Sequence, residues 1–159
     1  MNLSLEPRVQ ALVAHFERVQ AERMQGIPLL NAALQVEAVG FEWGADTEAP
    51  VAEGVLITPW FMSLVRLPAQ ALPHAGQVGR SFVREFGSER FDFIGAHDPA
   101  VGYHETCALF SPMGEFGTQA LARETAREAL ALTRPAPPAV PAPRPPVPAR
   151  RAFFLGGRA

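Results

Sequence analysis

Residues 54–68 read GVLITPWFMSLVRLP, and residues 107–116 read CALFSPMGEF. Each sets a proline, Pro59 or Pro112, inside strand-forming apolar residues. Bulky groups stand beside it: Trp60, Phe61 and Met62 in the first stretch, Phe110 and Met113 in the second. Proline has no N–H to give to a ladder, so it is confined to sheet edges, bulges and strand ends. Large adaptable side chains at such interruptions suit a peptide-docking surface. They suit a strand–turn junction in a small core equally well, and residue chemistry leaves both readings open.

Outward from these stretches the pattern stays strand-like. Residues 35–43 alternate toward Val39, Phe41 and Trp43, and residues 77–86, 90–95 and 103–110 follow between Gly- and Pro-bearing loops. The short spacing of the last three predicts antiparallel pairing, because parallel neighbours need long crossovers. Residues 6–24 predict an amphipathic helix, with Val9, Leu12, Val13, Phe16 and Val19 on one face and Arg8, Glu17, Arg18 and Glu22 on the other. Ser4 is its expected N-cap, and Gly26 with Pro28 ends it. Residues 116–132 return to helical period, with Leu121, Ala122, Thr125, Ala129 and Leu132 on the expected inner face. The predicted fold class is α+β, a mostly antiparallel sheet packed against N- and C-terminal helices that both cover one side of it.

Residues 1–133 are expected to form the domain and residues 134–159 a disordered Pro-rich tail. Half of the chain's 16 prolines fall in residues 135–150. That composition predicts an extended polyproline II spacer of roughly 50 Å, at ~3.1 Å per residue. The chain then ends in the apolar RRAFFLGGRA.

A length of 159 residues is enough for one core. The 48% hydrophobic and 19% charged fractions are those of a globular protein. A net charge of −2 gives no electrostatic case for nucleic acid or an anionic membrane. The one cysteine excludes an internal disulfide and a Cys-rich metal site. The N-terminus has no apolar signal region, and residues 54–65 are far short of the ~20 needed to span a bilayer. The expectation is a cytoplasmic protein without membrane insertion.

Cys107 suggests a nucleophile, with His97 or His104 as base and Asp98 or Glu105 to orient it. On a strand, however, His104 and Cys107 point to opposite faces, and no nucleophile signature surrounds them. A single cysteine more often behaves as a small hydrophobe, which favours a structural or interface role. His97, Asp98, His104 and Cys107 match no zinc spacing. No catalytic residue, metal or cofactor is therefore assigned. A small cysteine-dependent enzyme using Cys107, or a structural subunit of a larger assembly, are the alternatives.

The wording of the two stretches carries more. Thr58, Pro59, Trp60, Phe61 and Met62, leading through Leu64 to Leu67 and Pro68, are followed by Cys107, Leu109, Phe110, Ser111, Pro112 and Met113. This pair resembles the HybE-type assembly chaperones of [NiFe]-hydrogenases, over residues 9–132. The chain departs from the family pattern at Ser63, where an amide is usual, and at Arg66. It departs again at Gly87 and Glu89, where Pro and Gly are expected. Some relatives carry a fused rubredoxin-like domain, which needs four cysteine ligands that this chain lacks.

The resemblance implies a non-enzymatic chaperone that binds the immature hydrogenase small and/or large subunit until cofactor insertion and pairing are complete. It also implies proofreading of twin-arginine export, since the small subunit carries that signal. The expected contact surface is Trp60, Phe61, Met62, Phe110, Ser111, Pro112, Met113 and Phe116, with both stretches in one apolar patch. Residues 150–155, RRAFFL, are themselves similar to the Arg-Arg-x-Phe-Leu centre of such a signal.

Overall fold

The computed structural model describes residues 5–45, 49–73 and 75–134. Helix α1 (Leu5–Arg23) is followed by strands β1 (Glu37–Trp43), β2 (Val51–Ile57) and β3 (Met62–Pro68). A single 3-10 turn (Ala75–Gln77) leads to β4 (Ser81–Phe86), β5 (Glu89–Asp98) and β6 (Gly102–Phe110), and helix α2 (Gln119–Thr133) closes the described chain. The strands form one sheet in the order β1-β2-β3-β6-β5-β4, and every pair of neighbours is antiparallel. The α+β class is as predicted. The expected N-cap Ser4 and tail residues 135–159 lie outside the described residues.

The arrangement of the helices differs from expectation. They lie on opposite faces of the sheet, not on one. Leu12 of α1 packs with Ala52, Leu56, Val65, Leu67 and Val101, and the flanking Val9, Val13 and Phe16 join them. Ala122, Ala126 and Leu130 of α2 pack with Val55, Ile57, Met62, Leu64, Phe86 and Phe93. Alternate residues of β2 and β3 therefore enter two different cores. A strand buried on both faces reads as a continuous apolar run, which is why residues 54–65 show no alternation.

The long stretch 54–68 is thus a central hairpin, not one interrupted strand. Its turn, residues 58–61, closes with Thr58 N–H donating to Phe61 O at 2.8 Å. The buried Thr58 Oγ1 accepts from the N–H groups of Trp60 and Phe61, at 3.1 and 2.9 Å. Pro59 occupies the second turn position, where its fixed φ is an advantage and its missing N–H is no loss.

Helix α2 also turns a different side inward. Its buried residues are Ala122, Ala126, Leu130 and Thr133, whereas Leu121 and Leu132 are 48% and 79% exposed. Thr118 caps the helix by accepting from Leu121 N–H at 3.1 Å, so the helix begins at Gln119. Arg123 then forms a two-pronged pair with Glu37, at 2.8 and 3.1 Å, and fixes the rotation. Small alanines on the inner face let the helix lie close to β1 and β2.

Strand β5 pairs with β4 over Glu89–Ile94 but with β6 only over Ile94–Asp98. Its first half leaves β6 and carries the β4–β5 hairpin over the α2 side. There Ser88 Oγ donates to Thr133 O at 2.7 Å. Gly87 has φ +64, and a Cβ on it would strike the Thr133 carbonyl. Glycine at this departure from the family wording is what the docking requires.

Candidate functional site

The antiparallel pairing of β3 with β6 brings the two motif stretches together. Met62 opposes Phe110 at the end of the ladder, with a register shift just inside it. The residue that joins the stretches is Asn31. Its backbone N–H donates to Pro59 O at 2.9 Å, and its Nδ2 donates to Met113 O and Phe116 O at 2.9 and 2.7 Å. Its Oδ1 accepts from Ala33 N–H at 2.9 Å. The amide group thus uses both donors and one acceptor position. The expected proximity of the stretches holds.

A single apolar patch does not describe them well, because the sheet divides their side chains. Phe61 packs on the α1 side with Phe16, ring centroids 5.5 Å apart, and Trp60 meets Phe61 edge-on at 5.5 Å. Phe110 meets Phe116 edge-on at 5.1 Å on the α2 side, in the cluster that holds Met62 and Met113. Of the expected contact residues, Met62 and Met113 are fully buried and Phe116 nearly so. They hold the core in the folded chain and offer no surface. Trp60, Phe61 and Phe110 are half-buried, and Ser111 and Pro112 are exposed. Leu29, 58% exposed and two residues from Asn31, adds an apolar side chain near this end.

Asn31 and Leu29 escaped the sequence reading. An Asn between apolar residues, shortly after Gly26 and Pro28, signals a local Asx turn. Nothing local says that its amide reaches residues 82 and 85 positions away.

The proposed nucleophile constellation is not assembled. Cys107 packs on the α2 side, and burial, followed by the charge of Asp92, pushes its thiol pKa up. A thiol held protonated is a poor nucleophile. His104 is buried on the other face, where Nδ1 lies 3.0 Å from Gly102 O and burial lowers its pKa. Asp98 pairs with His15 of α1 at 3.2 Å, and His97 stands opposite Tyr103 in the ladder.

Glu105 is committed elsewhere. It accepts from Arg66 at 2.6 Å, from Arg84 at 3.0 and 2.9 Å, and from Tyr103 Oη at 2.6 Å. Burial raises its pKa, but the hydrogen bonds from Arg84, Tyr103 and Arg66 outweigh that and leave it below the usual value. Burial and the bond to Glu105 push Tyr103 up to about 12. Arg66, a departure from the family wording, is thereby explained as a partner of a buried carboxylate. No group of three His, Cys, Asp or Glu suited to a metal occurs among the described residues. No helix among them is long and apolar enough to cross a membrane.

Residues 7–156 match the model of the family described as [NiFe]-hydrogenase assembly, chaperone, HybE. The chain belongs to this family of assembly chaperones. Protein HoxT of Cupriavidus necator is 44% identical, over 95% of this chain and 89% of that protein. The hydrogenase expression/formation protein HoxT of Azotobacter vinelandii is 42% identical over 93% and 96%. The solution structure of HybE from Escherichia coli superposes with a TM-score of 0.60 at 20% identity, covering 89% of this chain and 88% of that one. This last likeness establishes a shared fold. In this HybE-family chain the Pro59 and Pro112 stretches lie at one end of the sheet, joined by Asn31.

Proposed function

We propose that this HybE-family chaperone captures the signal-bearing precursor of the hydrogenase small subunit at the end of the sheet formed by residues 58–61 and 110–112. The observation that carries the reading is the convergence of the two stretches on Asn31, with Trp60, Phe61 and Phe110 half-buried and Ser111 and Pro112 exposed. Half-buried aromatics held rigidly from below are the type of anchor that carries most of an interface's energy. The chaperone acts without catalysis, by binding the immature form more tightly than the finished one. The raised thiol pKa of Cys107 and its separation from His104 by the sheet support this over a cysteine enzyme. Its place is the cytoplasm, where a precursor waits before export. Residues 1–133 form the binding domain, with 134–159 as an appended tail.

Calorimetric titration with a synthetic Arg-Arg-x-Phe-Leu signal peptide tests the reading. Trp60→Ala should weaken binding by about tenfold or more while the protein stays folded. Equal affinity in both proteins, or no binding to either, would overturn it. Capture of the immature large subunit alone would move the assignment to that partner.

A further inference from the structure

The β4–β5 hairpin bears an outer face that nothing described covers. The α1-side core contains no residue of β4 or β5, while Phe86, Phe91 and Phe93 serve the opposite core. On the uncovered side Val83 is 63% and Ile94 52% exposed. In the register Ser81 opposes Ile94 and Val83 opposes Asp92, so the two apolar side chains are diagonal neighbours. β4 is also an end strand of the sheet, with one side of its backbone unpaired among the described residues. Exposed β-branched residues beside a free edge form a template for another strand.

We propose that residues 151–155 of the chain's own tail add to the free edge of β4, setting Phe153 beside Val83 and Leu155 beside Ser81, across which it extends toward Ile94. Three observations select this occupant. The first is position: the described chain leaves α2 at Thr133, bonded to Ser88 at the tip of this hairpin. Val83 lies four residues and Ile94 six from the tip, about 13 and 20 Å at ~3.3 Å per residue. The 18 residues before Phe153 reach roughly 56 Å even as polyproline II.

The second is backbone chemistry. Prolines punctuate residues 135–148, whereas 149–159 contain none. Only the terminal stretch has the unbroken run of N–H donors that strand addition needs.

The third is charge and spacing. Beyond Arg134 the tail carries Arg144, Arg150, Arg151 and Arg158 and no acidic side chain. On the hairpin, Glu85 pairs with Arg90 at 3.9 Å, while the exposed Asp92 carboxylate has no partner among the described residues. With Phe153 beside Val83 and Leu155 beside Ser81, Arg151 falls on the same face beside Glu85 and diagonal to Asp92. This inference concerns the chain alone and stands or falls independently of the signal-peptide reading.

A nitroxide label tests it on the full chain, at Ala152→Cys in a Cys107→Ala background. Tethering gives an effective concentration near millimolar, so amide signals of Val83, Glu85 and Ile94 should lose about half their intensity or more. The loss should be the same after dilution. Val83→Asp combined with Ile94→Asp, on an exposed face that needs no core, should restore those signals. Attenuation centred on Trp60 and Phe110, attenuation spread evenly, or none would overturn the proposal. So would a loss that grows with protein concentration, which would assign the face to a second copy. Persistence of the loss in the double variant would equally overturn it.

Discussion

The turn at residues 58–61 and the segment at residues 111–116 share a composition, yet they are held by opposite means. The first is closed from within, apart from the backbone bond that Pro59 O accepts from Asn31: Thr58 closes the turn through its own N–H and hydroxyl, and Pro59 presets the backbone. The second depends on a residue far away, since Asn31 takes up the carbonyls of Met113 and Phe116 while the Met113 side chain is sunk in the core. A local turn survives the loss of distant contacts; a loop pinned by a remote amide does not. Similar wording at two places in a chain therefore does not imply similar mechanics.

Substitutions can break this contrast, and the largest effect is expected at Met113. Met113→Ala empties a fully buried site and should cost about 3 kcal/mol, read by denaturant unfolding. Asn31→Ala should cost about 2 kcal/mol, because the Phe116 carbonyl loses its side-chain donor, the Met113 carbonyl keeps only Phe116 N–H, and the local Asx turn is lost. Hydrogen exchange should then rise around residues 113–116 while the Thr58–Phe61 bond stays protected; equal loosening of both segments would erase the distinction. Thr58→Val keeps the shape but removes the acceptor for Trp60 and Phe61 N–H, for about 1 kcal/mol. Its effect should stay within the turn.

The smallest effect is a pH dependence confined to the α1 side. Burial lowers the pKa values of His15 and His104 from the ordinary 6.5. The unfolded chain therefore takes up protons first as pH falls. Stability is complete above the ordinary value and declines below it, until the folded-state values are passed. His15 and His104 face each other's field together with Asp98, Arg8, Arg18 and Arg23, and Asp98 opposes the loss. Melting should drop modestly between about pH 7 and about pH 5, less so in His104→Gln. The Asn31-held segment should keep its exchange protection, taken relative to the intrinsic rate at each pH, over that range.

Much of this protein was set by sequence alone. Five strand segments, antiparallel pairing of the last three and both helices followed from apolar period and from the placement of Gly and Pro, which act within a few residues; that residues 54–68 fold back on themselves as two strands did not. The family followed from the wording of two short stretches. Tertiary structure alone decided which face each element buries. Residues 54–65 look uniformly apolar because both faces of β2 and β3 are covered, so the pattern could not say that the helices take opposite sides. In α2, two neighbouring stripes were apolar enough, and close packing of Ala122, Ala126 and Leu130 on the sheet chose between them, with Arg123 paired to Glu37 in that rotation. Asn31 is the sharpest case. Its role lies in carbonyls brought to it by the pairing of β3 with β6, and a contact between residues so far apart in the chain exists only once the sheet has formed.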